Sequence, residues 1–364
     1  MQSINMFGPV TTHTGYGNHL LNITAALSDY AAISLTPRTS IDISGFHRVD
    51  AIETCLRRPF NYDAPSINIW FPDQMQGFHG AARVGYPVFE CNVVPDSWIP
   101  HLEELDRILV PSEWAAEVLK NALSDMACVE VVPEGYDPAV FNARPESVPR
   151  AMMIRPRPWI LSIGKWEARK GQIELITAID QLPDDQNLTL FGFWDNAWDE
   201  NWRYRFASYA TSLGWEADGW TARKNGKVIV ICERVKQHKV LASWMKAADL
   251  GVFPHRAEGW GLPILETMAC GTPVVVSDWT GSTEFTRDMP GVYPLREYHT
   301  ECVGDPVFWP QGGPGTWQVP QPEDIAHQIQ AALKCSVEMR AQLAVACEQF
   351  TWSESALKIL EIVE

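Results

Sequence analysis

The sequence predicts an α/β protein built from two doubly wound domains. Three observations carry that expectation: short Ile/Val/Leu runs alternate with helical patterns, the alternation comes in two series, and a proline-rich stretch separates them. The first series runs Ile4–Phe7 (strand), Asn18–Leu27 (helix), Ile67–Phe71, Tyr86–Phe89 and Arg107–Val110 (strands), Trp114–Leu123 (helix) and Val129–Val132 (strand). Residues 142–158, NARPESVPRAMMIRPRP, hold four prolines that interrupt any regular element and mark a hinge, so the boundary is expected near residue 155. The second series runs Trp159–Ile163 and Gln172–Leu182, Leu188–Phe191 and Trp202–Leu213, Val228–Ile231 and Val240–Ala247, then Leu250–Phe253, Leu262–Ala269 and Pro273–Ser277. An ordered loop is expected over Gly304–Pro322, then helices over Pro322–Lys334 and Ser336–Glu348, and a last helix with Ser353 as its cap.

At 364 residues, with 46% apolar and 20% charged residues, the chain is long enough for two cores. No apolar run reaches the roughly 18 residues of a membrane span, and the N-terminus lacks the basic and apolar regions of a secretory signal, so a cytoplasmic protein is expected. The eight cysteines form no CxxC pair and the histidines do not cluster, which gives no support to a disulfide framework or a zinc site. The net charge is −16, and residues 1–155 carry 10 basic against 18 acidic side chains, so no broad phosphate-contacting surface for nucleic acid is expected.

The chemistry concentrates between Phe253 and Asp278. Glu258 and Glu266 stand eight residues apart around the turn Gly259-Trp260-Gly261, which opens a helix at Leu262. Glycines bring bare backbone close to a ligand, and a helix start offers unpaired N–H groups and a positive dipole end to an anion. The turn suits a phosphate or pyrophosphate, with the two carboxylates accepting hydrogen bonds from hydroxyl groups on either side, as a nucleotide-sugar requires.

SIGKWEARKG (162–171), AEGWGLPILETMACGTPVVVSD (257–278) and FTWSES (350–355), with TGYGNH (14–19), LVPSEWAAEVL (109–119) and VVPEGYDPAVF (131–141), resemble retaining glycosyltransferases of family 4 in order and spacing. The resemblance implies the GT-B fold: two Rossmann-like domains facing a cleft, residues 1–155 on the acceptor side and 156–350 on the nucleotide-sugar side, with helix 351–364 crossing back to the first. It implies that Glu266 binds the ribose hydroxyls, Glu258 the transferred sugar, and residues 259–262 supply backbone amides. Lys170 matches the family's phosphate-binding lysine, and Lys165 stands where an arginine is usual, replacing a fork-shaped donor by a point charge. Gly15 and Gly17 match a flexible loop that approaches the donor phosphates. Where many members carry a histidine near the reacting carbon, this chain has Glu90, read either as a group that orients the acceptor hydroxyl and helps remove its proton or as a structural hydrogen-bond acceptor. His255-Arg256 also departs from the small polar residues usual there; Arg256 either adds charge near the phosphates or forms an ion pair.

The implied reaction moves a sugar from a UDP- or GDP-sugar to a hydroxyl of a sugar or glycan with retention and without a catalytic metal or other cofactor. A hydroxylated base in DNA is the alternative acceptor, disfavoured by the acidic charge. Paired glutamates also occur in glycosidases, yet a glycosidase has no reason to assemble glycines, a helix start and lysines suited to phosphate. A catalytically dead binding or scaffold protein is opposed by the intact Glu258, Glu266 and Lys170. Of sixteen tryptophans, Trp194, Trp198, Trp202, Trp215 and Trp220 gather around one predicted helix, where Trp198 and Trp202 are expected to share its packed face, although stacking on a sugar or base is open to them. His13, His19 and His79 are placed in first-domain loops, read as polar loop groups with a catalytic base as the alternative.

Overall fold

The structure, a computed structural model, describes residues 2–124 and 128–363. The chain divides into two compact units, one formed by residues 1–137, 236–238 and 349–364, the other by 138–235 and 239–348. The proline-rich stretch 142–158 therefore groups with the second unit.

In the first unit, β1 (Ser3–Gly8), β2 (Ala32–Pro37), β3 (Ser66–Trp70), β4 (Arg83–Pro87), β5 (Arg107–Val110) and β6 (Val129–Val131) form one sheet in the order β2-β1-β3-β4-β5-β6. Every pairing is parallel. Helices α1 (Gly15–Leu27), α2 (Val49–Arg57), α3 (Ile99–Glu103) and α4 (Glu113–Lys120) connect them. The C-terminal helix, Trp352–Val363, packs on α1, where Trp352 stacks on the His19 ring at 5.5 Å and the Ser355 hydroxyl donates to the Pro133 carbonyl at 2.6 Å.

The second unit opens with α5 (Arg150–Met153), β7 (Trp159–Lys165), α6 (Gln172–Gln181), β8 (Leu188–Asp195) and α7 (Trp202–Ser212). There follow β9 (Glu216–Ala217), β10 (Thr221–Lys224), β11 (Lys227–Ile231), α8 (His238–Ala247), β12 (Leu250–Phe253), α9 (Leu262–Ala269), β13 (Val274–Ser277), α10 (Thr283–Thr286) and β14 (Val292–Leu295). The hairpin β15 (Tyr298–Cys302) and β16 (Thr316–Pro320) leads to α11 (Pro322–Ala332) and α12 (Val337–Ala346). The main sheet runs β14-β13-β12-β7-β8-β11-β10-β9, with the β9/β10 hairpin added antiparallel at one edge. Apolar residues of α6, α7 and α11 bury one face of it, while Trp244 of α8 packs on Phe191 and Phe193 of the other. A Cβ placed on Gly251 of β12 would meet Thr267 of α9 at 3.0 Å, so α9 lies on the α8 face. The strand order reverses between β7 and β12, and open α/β sheets bind ligands in the crevice at such a reversal.

Three local expectations are corrected. Trp198 precedes α7, so it shares no helix face with buried Trp202; it lies in the β8–α7 turn, 55% exposed. Residues 304–322 are not only loop, because Thr316–Pro320 pair with Tyr298–Cys302 as an antiparallel ladder. The last helix starts at Trp352, and Thr351 rather than Ser353 accepts from the Glu354 N–H, at 3.3 Å; Ser353 instead bonds the Tyr30 hydroxyl at 2.6 Å.

Candidate active site

The β7–α6 turn and the β12–α9 turn, the pair that flanks the reversal, carry the charged groups. Lys165 ends β7, a single 3-10 turn spans Ala168–Lys170, and Gly171 begins α6 with a φ of 68°. A Cβ at Gly171 would fall 1.9 Å from the Pro254 carbonyl oxygen, so only glycine lets the two turns approach. The Lys170 side chain lies over Gly164, whose missing Cβ leaves room for it.

Glu258 is buried and is gripped by two cations. Lys170 Nζ donates to one carboxylate oxygen, and Arg169 Nη1 to the other at 2.9 Å. Arg169 also donates to Glu167 at 2.6 Å, and Lys165 Nζ lies 3.4 Å from the second oxygen of Glu167. Burial alone would raise the Glu258 carboxyl, but Lys170 and Arg169 outweigh it and hold the group at about 2. The network joins three cations to two carboxylates.

The backbone around Glu258 is fixed from behind. Its N–H donates to the Thr280 hydroxyl at 3.0 Å, and its carbonyl accepts from the Gly281 N–H at 2.9 Å. Thr280 sits at a φ of 63°, a strained conformation for a β-branched residue and of the kind that clusters at functional sites. Helix α9 follows Gly261, which has a φ of 103° and offers no side-chain cap; Pro263 carries no N–H and the Ile264 N–H donates to the Gly261 carbonyl at 2.9 Å, which leaves the Leu262 N–H and the positive dipole end to an anion. Trp260 is buried against Phe285, 4.8 Å between ring centroids.

Glu266 stands one helical turn into α9, half-buried, and burial pushes its carboxyl up to about 8. It takes no part in the Glu258 network. His255 is buried, with Nδ1 3.1 Å from the Phe253 carbonyl oxygen and Nε2 3.0 Å from the Ser282 hydroxyl, and burial pushes its imidazole down to about 4. Arg256 is held by Glu174 at 2.5 Å and Glu301 at 3.2 Å, which makes it an ion-pair residue joining α6 to β15.

The other predicted positions belong to the first unit. Gly15 opens α1, exposed, with open space where a side chain would stand; Gly17 is buried, and a Cβ there would come within 1.8 Å of the Thr11 carbonyl oxygen. Glu90 lies half-buried in the segment after β4. His13 is exposed and contacts Asp42 at 2.5 Å, whereas His19, expected in a loop, lies within α1 and is fully buried, its imidazole pushed down by burial to about 3.

Sequence reasoning missed Arg169 and Glu167. The signal was present in EARKG, where the basic residue beside Lys170 supplies the fork-shaped donor absent at Lys165. It also missed Asp305, whose buried carboxylate accepts from the N–H groups of Ala168 at 2.9 Å, Val307 at 2.8 Å and Phe308 at 3.0 Å, tying the β15–β16 loop to the Ala168–Lys170 turn.

Two doubly wound units, with this site at the reversal of the second sheet, define the GT-B glycosyltransferase fold. Residues 157–295, within the second unit, match the family model of glycosyl transferases group 1. A D-inositol 3-phosphate glycosyltransferase of Xylanimonas cellulosilytica is 26% identical over 263 residues, covering 69% of this chain and 54% of that protein. The chain thus spans about half the length of this relative. Among solved structures, sucrose-phosphate synthase from Thermosynechococcus elongatus superposes with a TM-score of 0.71 at 17% identity, covering 100% of this chain and 98% of that one. HepE of Anabaena, solved with UDP and glucose, gives a TM-score of 0.71 at 14% identity, covering 100% and 99%. At such identities the likeness is one of fold.

Proposed function

We propose that the protein transfers a sugar from a nucleoside diphosphate sugar to a hydroxyl of a sugar-type acceptor, with retention of configuration. The observation that carries this reading is the meeting of Glu258, Lys170 and Arg169 beside the uncapped start of α9. A leaving diphosphate gains negative charge in the transition state, and preorganised cations and a helix N-terminus stabilise that charge more than the ground state. Lys165, Arg169 and Lys170 provide the positive charge that a divalent ion otherwise provides, so the reaction proceeds without a metal. When the diphosphate engages Lys170, Glu258 is released to accept from a hydroxyl of the transferred sugar, and Glu266 accepts from the ribose hydroxyls.

The donor is a UDP- or GDP-sugar. UDP-glucose is favoured by HepE, a structure of the same fold that holds UDP and glucose. A sugar-type acceptor is favoured by the relatives, one named for an inositol phosphate and one for sucrose phosphate. A thermal-shift screen of UDP-, GDP- and ADP-sugars, followed by transfer of labelled sugar in EDTA, tests the reading. Stabilisation by one donor and EDTA-resistant transfer are expected; no stabilisation by any donor refutes it.

A further inference from the structure

Two aromatic rings beside the charge network, Trp198 and Phe308, are not used by the donor site. Lys165 Nζ lies 4.7 Å from the ring centroid of Trp198 and 4.0 Å from that of Phe308, and the two rings meet edge to face at 5.9 Å. Both rings remain open, Trp198 at 55% and Phe308 at 37% exposure, although burying an indole is strongly favourable.

Each ring is carried by a rigid turn. Trp198 sits between buried Asn196, which accepts from the Trp198 N–H at 3.0 Å and donates to the Trp166 carbonyl at 2.9 Å, and buried Asp199, which accepts from the Asn201 N–H at 3.0 Å and from Arg205. Phe308 projects from the turn that Asp305 organises, and that turn is anchored to Ala168 beside Arg169. Two buried anchors from separate parts of the chain therefore hold two open, mutually touching rings next to one ammonium. Conformational freedom is already spent before any ligand arrives, which is the condition for a preorganised binding surface.

Position selects the occupant. Trp198 follows β8 and leads into α7, and Lys165 leads to α6, so the cluster lies toward the sheet face covered by α6 and α7. Glu266 lies on α9, which covers the opposite face. A donor with its ribose at Glu266 and its diphosphate at Lys170 presents its sugar to Glu258, and the chain of contacts from Glu258 runs on through Arg169 and Glu167 to Lys165 and the rings. We propose that Trp198 and Phe308 form an acceptor subsite, in which a polyhydroxylated six-membered ring stacks on the open indole face while the partly exposed Lys165 ammonium meets its polar groups. The subsite rests on the glycosyltransferase reading above and moves part of acceptor recognition onto the second unit.

The test uses the full chain saturated with UDP. Glucose 6-phosphate, maltose and myo-inositol 1-phosphate serve as probes, and binding is read by saturation-transfer NMR. At least one probe is expected to bind the wild type, to lose at least about tenfold in affinity in Trp198→Ala and Phe308→Ala, and to recover in Trp198→Tyr. UDP affinity, measured by calorimetry on the same samples, is expected to change less than about threefold, which also confirms that the variants are folded. Failure of all three probes to bind, equal binding to the alanine variants, or a parallel loss of UDP affinity overturns the subsite. Loss of UDP binding in the wild type would instead refute the donor site on which it rests.

Discussion

Glu258 is the residue on which the account turns. In the structure its carboxylate neutralises the cations that the diphosphate is proposed to engage, so donor binding exchanges one anion for another rather than filling a bare positive site. Glu258→Gln removes that competition. Nucleotide affinity is expected to stay equal or to increase, while transfer falls by about 10²- to 10³-fold, because the lost contact matters at the transferred sugar. Steady-state kinetics with a parallel UDP titration separates the two effects. Lys170→Ala is expected to lower turnover chiefly, with a smaller effect on donor KM.

Glu266 makes a prediction of opposite electrostatic sign. Burial pushes its carboxyl up to about 8, so at pH 7 the group is mostly protonated, whereas hydroxyl donors favour the carboxylate. Nucleotide binding at pH 7 therefore expels close to one proton, and affinity rises with pH from about 6 to 8 and levels off above. Calorimetry in two buffers of different ionisation enthalpy reads the proton count directly. Glu266→Gln is expected to abolish it.

Among the elements, β7, α6, β12 and α9 were legible because their periodicity and their turn residues agree: buried runs end in GKWEARKG and AEGWG, and glycine is required at Gly171 and Gly261 by backbone geometry. The β15–β16 hairpin was not legible. Residues 298–302 of its first strand are exposed throughout, so no apolar alternation marks it, and Asp305 acts through contacts distant in sequence. Trp198 was misplaced for a related reason: spacing of four from Trp202 fits a helix face, but the buried side chains of Asn196 and Asp199 impose a turn first. Asp305→Ala strands three backbone donors and is expected to destabilise the second unit by about 1–3 kcal/mol, with weaker UDP binding. Thermal unfolding with and without UDP checks both.

α1 and the segment after β12 each bury a neutral histidine. His19 and His255 have imidazoles pushed down by burial to about 3 and about 4, against an ordinary 6.5. Each gives stability that is complete above pH 6.5 and is lost as pH falls toward the folded value, since the unfolded chain binds the extra proton. At pH 5.5 the loss is about 1.4 kcal/mol for each histidine. Urea midpoints should fall between pH 7 and 5.5, and His19→Gln should reduce that fall; a midpoint independent of pH over this range contradicts it.

For the molecule as a whole, the two-unit α/β architecture follows from the strand and helix alternation, and the similar fold of HepE and sucrose-phosphate synthase extends over the full chain. Among the described residues, no helix is long and apolar enough to cross a membrane. The acidic net charge of −16 coexists with a cluster of three cations, Lys165, Arg169 and Lys170, at the β7–α6 turn. What the sequence left illegible at this scale was the wiring of the site: which carboxylate each cation meets depends on side chains up to 89 residues apart.

The central claim is a nucleoside diphosphate site framed by Lys170, Glu258 and Glu266. Calorimetric titration of UDP and GDP into the wild type and into Glu266→Ala tests it most directly. The account predicts saturable one-to-one binding of at least one nucleotide to the wild type and a loss of at least about tenfold in affinity in the variant, as expected when ribose hydroxyls lose their acceptor. Absence of binding to the wild type, or equal affinity in Glu266→Ala, contradicts it.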